Sequence, residues 1–259
     1  MLDSLKDIYT LWLREMKRFI RSRARVLGSG GQPLLWLVIV GVGLGSFIAA
    51  SGLGSSFNYI EFMAPGIIGM TILFSALYAG IGLIWEKQFG FLKEVLVAPV
   101  KSASIVIGKI SGSSTIALLS GIFILIIVTI FGVIPVSVIS AQGILSSIVF
   151  MILAAVCFVS IGVIIATSIN SIESFQVVTN FLAMPLFFLS SALFPLYSAP
   201  EWLSLLADID PLTYAVDGMR AGFGIIHTYN IWVDAAVSLF FAVAFMLIAL
   251  QSFKIMRKK

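Results

Sequence analysis

Carboxylates gather late in the chain at Glu201, Asp208, Asp210 and Asp217, followed by Arg220 and the single histidine, His227. Oxygen ligands in such a group could hold a hard divalent cation. No calcium-loop spacing occurs, however, and no His or Cys cluster stands beside them for a softer metal. These acids read instead as helix caps, and no metal site is assigned. Asp217 and Arg220 are three apart and can pair across one helical turn, as a structural clamp. Cys157, alone in the chain, lies in the apolar run "AAVCFVSIGVI" and reads as a small packing residue. Nothing combines a nucleophile, a base and an orienting group, so catalysis by this chain alone is not expected.

A second charged set occupies "WEKQFGFLKEVLVAPVK", Trp85 to Lys101. Trp85, Phe89, Leu92 and Leu96 recur in steps of four, three and four, while Glu86, Lys87, Lys93 and Glu94 fall away from that ridge. Pro99 ends the helix. Such an amphipathic helix can lie on a membrane or insert its apolar ridge into a partner's groove.

The elements around these residues are set by a shortage of charge. Of 259 residues, 60% are hydrophobic and 11% charged, with a mean hydropathy of +1.11. A soluble domain carries about a quarter charged residues, so lipid is the expected solvent. A crossing helix needs roughly 20 apolar residues. Charge-poor runs predict six spans at 34–50, 63–84, 112–133, 144–167, 175–197 and 235–253. The expected fold is an all-α membrane protein forming one domain over 1–259. Net charge is +4, but the basic residues cluster beside apolar spans, as membrane topology requires, and no nucleic-acid partner is expected.

Seven Lys or Arg precede the first span, four occupy the second connection and four the tail, leaving Arg220 alone elsewhere. By the positive-inside rule both termini and the second connection face the cytoplasm, which six spans require. No signal peptide is apparent. The chain opens instead with an amphipathic segment, within 1–30, in which Leu5, Ile8, Tyr9, Trp12, Met16 and Phe19 oppose Lys6, Asp7, Arg14, Lys17, Arg18 and Arg21. It is expected to lie flat among the lipid headgroups. Gly41 and Gly45 share a helix face, as do Gly108 and Gly112, and either pair suits packing within a subunit or between two.

Four stretches together resemble the ABC type 2 transporter permease family, the membrane subunits of export-type ATP-binding-cassette systems. They are "YIEFMAPGII" (Tyr59 to Ile68), the Trp85 to Lys109 stretch, "FLSSALFPLYSAPEWL" (Phe188 to Leu203) and "DPLTYAVDGMRA" (Asp210 to Ala221). Asp210 departs from the Asn usual among relatives. The resemblance implies a homodimer whose subunits each dock on a separate cytoplasmic ATPase, which binds ATP and Mg, through a coupling helix at 85–101. Carried over to this sequence, Phe89, Phe91 and Leu92 would plug the ATPase cleft, Glu86, Lys87 and Lys93 would orient them, Gly90 would permit close approach and Pro99 would end the helix. "GSGGQ" (Gly28 to Gln32) superficially looks like an ABC ATPase signature loop, but it leads straight into a span and no phosphate loop of the Gly-x-x-x-x-Gly-Lys type occurs.

Between the fifth and sixth spans, Ser198 and Glu201 have capping-box spacing and Asp210 precedes Pro211, which predicts two short helices across 198–224. Each is too short to cross, and outer re-entrant half-helices suit the resembled family. The expected cargo is a hydrophobic or amphiphilic compound, drug or lipid-like, exported across the cell membrane along a path lined by Phe74, Ser75, Tyr78, Asn180, Phe187 and Phe188. A lipid-linked glycan exporter and a gradient-driven carrier are the alternatives. A carrier would normally place ionisable residues within its spans.

Overall fold

The computed structural model describes residues 2–21, 31–50, 58–89, 101–134, 140–196 and 199–258. Every regular element among them is helical. Helix α1 is Leu2–Arg21, and α2 covers 31–50 with a π-helical segment at Leu37–Val42. Then come α3 (Tyr59–Tyr78), α4 (Ile81–Gln88), α5 (Ser102–Ile130), α6 (Ala141–Ser168), α7 (Ile172–Leu189), α8 (Glu201–Ile209), α9 (Pro211–Gly222) and α10 (Ile231–Lys258). Helices α3 and α4 follow one another through a bend at Ala79 and Gly80. Five stretches are long and apolar enough to cross a membrane: Tyr59–Gln88, Ser102–Ile130, Ala141–Ser168, Ile172–Leu189 and Ile231–Arg257. Gly31–Phe47 is a shorter apolar helix. The all-helical membrane architecture expected from charge-poor runs is thus present.

Helix α3 forms the axis of the core. Met63, Ile67, Ile68, Ile72, Leu73, Ala76 and Leu77 are completely buried, whereas Phe131, Phe181 and Trp232 are 78%, 82% and 80% exposed on the outside. Aromatic side chains that bare need lipid around them. Two helices depart farthest from their expected limits. Helix α5 begins at Ser102, ten residues before Gly112, because Lys109 is not a loop residue: it is buried, with Nζ 2.6 Å from Glu86 Oε2. At about 1.5 Å per residue its 29 residues exceed a hydrocarbon layer of about 30 Å by about two and a half turns. Helix α7 stops at Leu189 instead of Tyr197, since the Ser190 hydroxyl donates to the Phe187 carbonyl (2.9 Å) and accepts from the Ala192 N–H (3.2 Å), turning the chain aside.

The amphipathic α1 packs lengthwise on the start of α5. A Cβ added to Gly108 would lie 2.8 Å from Leu11 Cβ, one on Gly112 would lie 2.9 Å from Glu15 Cβ, and Trp12 Nε1 donates to Thr115 Oγ1 at 3.0 Å. The Gly108/Gly112 face therefore serves contact within the subunit. So does the Gly41/Gly45 face, which meets Tyr59, Ile60 and Met63 of α3.

At the other end of the bundle, α8 and α9 form a hairpin folded into the helices. Asp210 starts α9 by accepting the Leu212 N–H at 2.8 Å, and Pro211 occupies the first turn, where its missing N–H costs nothing. Helix α9 runs antiparallel to α6: Gly222 meets Gly143 backbone to backbone, Gly218 meets the Phe150 ring, and Asp210 lies within electrostatic range of Cys157. From Gly143 to Cys157 along α6 is about 21 Å, so the hairpin tip reaches the middle of the bundle. Its two half-helices correspond to those expected at 198–224, except that Ser198, the proposed cap, lies outside the described residues and Glu201 opens α8 directly after Pro200.

Candidate functional site

A cavity of about 950 Å³ opens between α1, the start of α2, α3 with α4, α5 and α7. Its floor, toward the middle of the bundle, is formed by Met70, Thr71, Phe74, Ser120 and Met184. Its mouth is at the end of the molecule that carries α1 and most of the Lys and Arg, and includes Glu15, Arg18, Gln32, Pro33, Gly82 and Trp85. This is the basic end of the bundle. Much of the polarity inside is already engaged. Thr71 and Ser120 donate to the carbonyls four residues before them, at 2.8 and 3.0 Å, and Tyr78 donates to Asn180 Oδ1 at 2.5 Å, bridging α3 and α7. What faces an occupant is largely apolar wall.

Four of the six expected lining residues, Phe74, Ser75, Tyr78 and Asn180, come together here. Phe187 and Phe188 do not. Both pack edge-on against Trp36 of α2, at centroid distances of 6.2 and 6.0 Å, and Phe187 is completely buried. Met184, Phe187 and Phe188 share a face of α7 by helical spacing, so the split is one of depth: the two phenylalanines lie about a turn past Met184, where Trp36 covers them.

Beside the mouth stands a charged hub. Glu86 of α4 accepts Arg14 Nη2 at 2.8 Å and Lys109 Nζ at 2.6 Å, which ties α4 to α1 and α5. Lys87 turns the other way and donates to the Ala166, Thr167 and Ile169 carbonyls at 2.7, 3.0 and 3.1 Å. An ammonium there satisfies the open carbonyls at the C-terminal end of α6 and opposes its dipole. Glu86 and Lys87 are therefore held by the subunit itself, at the root of the stretch expected to meet the partner. Their neighbour Phe89 is 70% exposed and stacks on Trp85 at 4.9 Å. Gly90, Phe91, Leu92, Lys93 and Pro99 lie outside the described residues. The Glu86–Lys109 contact spans 23 residues, far beyond what helical periodicity along one element can show.

In the re-entrant half, Arg220 is 1% exposed. Its Nε donates to the Phe62 carbonyl (3.2 Å), Nη1 to Ser191 Oγ (3.1 Å), and Nη2 to the Ser191 and Ala192 carbonyls (2.7 and 3.3 Å), while its guanidinium carbon sits 3.7 Å above the Phe62 ring. Burial pulls its pKa down to about 9, opposed by Asp217, so it stays charged at neutral pH. Asp217 is 4.0 Å away and is occupied mainly by the Thr228 and Tyr229 N–H groups, at 2.8 and 2.7 Å. The expected Asp217–Arg220 clamp is thus mostly two separate clamps, one gathering the turn after α7 and the other the loop before α10. Asp210 is buried with Oδ2 unbonded, and burial pushes its pKa up to about 8 against the opposing Leu212 N–H bond.

Several apolar helices long enough to cross a membrane define a multi-pass membrane protein. Residues 6–223 match the family model for the ABC-2 type transporter, and the chain belongs to that family. Among similar proteins, ycf38 of Porphyra purpurea is 33% identical over 84% of this chain and 74% of its own. The inner membrane transport permease YadH of Escherichia coli K12 is 27% identical over 92% of this chain and 91% of its own. Nodulation protein J of Rhizobium leguminosarum bv. trifolii is 25% identical over 76% and 73%. Membership makes this chain the membrane permease subunit of an ABC transporter and implies an ABC ATPase as its partner.

Proposed function

We propose that this subunit exports a hydrophobic or amphiphilic compound from the cytoplasm or the inner leaflet, driven by ATP and Mg bound in a separate ATPase, and that it works as a homodimer in the cell membrane. The cavity carries this reading. It is large, mainly apolar, walled by α3, α5 and α7 and open toward the basic end. The positive-inside rule makes that end cytoplasmic. An amphiphile entering there would meet Trp85 and Arg18 first and Met70 and Met184 last.

The drive would come through the connection after α4. Phe89, Phe91 and Leu92 would plug the ATPase cleft. Glu86 and Lys87 anchor the root of that connection to α1, α5 and α6, so its displacement is felt by three helices rather than one. Ionisable side chains in the long helices lie close to their ends, as Glu86, Lys87, Lys109 and Asp234 do. That distribution favours ATP drive over a proton- or sodium-coupled carrier. Copurification with the partner ATPase tests the docking: Phe91→Asp and Leu92→Asp are expected to abolish recovery of the ATPase while leaving membrane insertion intact. Undiminished recovery with both variants contradicts it.

A further inference from the structure

The cavity is polarised as well as apolar, and its charged end is built from an uneven set of ions. Arg18 and Glu15 line it, and the paired Arg14, Lys109 and Glu86 stand beside it. Glu86 is taken by Lys109 and Arg14 together, and Glu15 lies 3.4 Å from Arg14. Arg18 is exposed, lines the cavity, and makes no ion pair or hydrogen bond among the described residues. Its Nη1 lies 3.7 Å from the place a Cβ on Gly82 would occupy, and Lys109 Nζ lies 4.0 Å from the same point. Gly82 thus leaves open space where two cationic groups converge. Three cations against two carboxylates give this end a net positive charge, while the deeper wall of Met70, Phe74, Ile116 and Met184 is uncharged.

We infer that the cavity takes an amphiphile with an anionic, phosphate-type headgroup, which pairs with Arg18 over Gly82 while its apolar chain runs between α3, α5 and α7. A guanidinium offers a planar fork of donors that matches two phosphate oxygens at once. Glu15 lines the same mouth, but Arg14 Nη2 lies 3.4 Å from its Oε1 and offsets its charge, leaving Arg18 without a carboxylate partner among the described residues. A free anion would leave the apolar wall unused; an uncharged amphiphile would leave the guanidinium unpaired. This inference rests on the cavity being the cargo site and adds the charge of the cargo.

The test uses the full chain in nanodiscs carrying, at equal mole fraction, either phosphatidic acid or phosphatidylcholine with the same photoactivatable acyl chain. Crosslinked peptides are then mapped. Phosphatidic acid is expected to label the α3, α5 and α7 walls preferentially. Arg18→Gln is expected to reduce that labelling roughly tenfold, with a smaller loss for Arg18→Lys. Labelling by phosphatidylcholine, weaker throughout, should be the same in the variants, which shows that they fold. Equal labelling by both lipids, or labelling by phosphatidic acid indifferent to Arg18→Gln, overturns the headgroup assignment and leaves the cavity as a neutral cargo site. Displacement by inorganic phosphate overturns it in favour of a free-anion site. Absence of cavity labelling by either lipid overturns the cargo reading itself.

Discussion

At the scale of single residues, Arg220 bears the most. It is a buried cation that organises the turn after α7 through carbonyls and the Phe62 ring, with an acidic neighbour only at 4.0 Å. Arg220→Met removes the donors and leaves three carbonyls and Asp217 uncompensated, so a loss of about 3–5 kcal/mol in unfolding free energy is expected in detergent. Arg220→Lys should fall between, since a point charge cannot reach all of those acceptors. An unchanged unfolding midpoint for Arg220→Met contradicts this. Asp210 gives a pH signature. Its folded pKa is raised to about 8 from an ordinary value near 3.8, so the folded state retains a proton that the unfolded state releases. Stability from this group is complete below pH about 4 and declines as pH rises toward 8. Asp210→Asn keeps the cap on Leu212 without an ionisable oxygen. Thermal midpoints across that range should show the variant gaining most at pH 8 and least at pH 4; a difference independent of pH sinks the assignment.

At the scale of elements, the glycine contacts decide which helices touch. Gly108→Leu drives a side chain into Leu11 and the Ile8 carbonyl, and is expected to loosen α1 from α5 at a cost of roughly 1–3 kcal/mol. Hydrogen exchange at residues 8–15 reads this directly: faster exchange there with α6 unchanged supports the packing, and unaltered protection contradicts it. Elements were also where the sequence was most informative. Charge-poor runs located all the long apolar helices, and Asp210–Pro211 marked the start of α9 correctly, because caps and apolar length are local properties. The charged residues misled wherever burial reversed their usual meaning. Lys109 read as a loop cation and shortened α5, although Glu86 holds it inside the fold. Glu86 and Lys87, expected as partner contacts, also bind their own subunit, which no spacing shows. The cavity was half legible: Phe74 and Tyr78 sit one turn apart on α3 and marked its wall, while Arg18 and Trp85 join it only through long-range packing that no spacing encodes.

At the scale of the whole molecule, two ends with different tasks face each other across the bundle. The basic end holds the cavity mouth, the Glu86 hub and the start of the connection after α4. The opposite end is closed by the α8–α9 hairpin, fixed by Arg220 and Asp217. Such an arrangement suits a transporter loaded from one side and released on the other, with force delivered near the loading site. The most direct measurement is transport of a fluorescent amphiphile in proteoliposomes containing this subunit and its ATPase. The account predicts movement that requires ATP, continues when the proton gradient is collapsed, and is lost with Phe74→Asp in the cavity wall. Movement that persists without ATP and stops when the gradient is collapsed would contradict it.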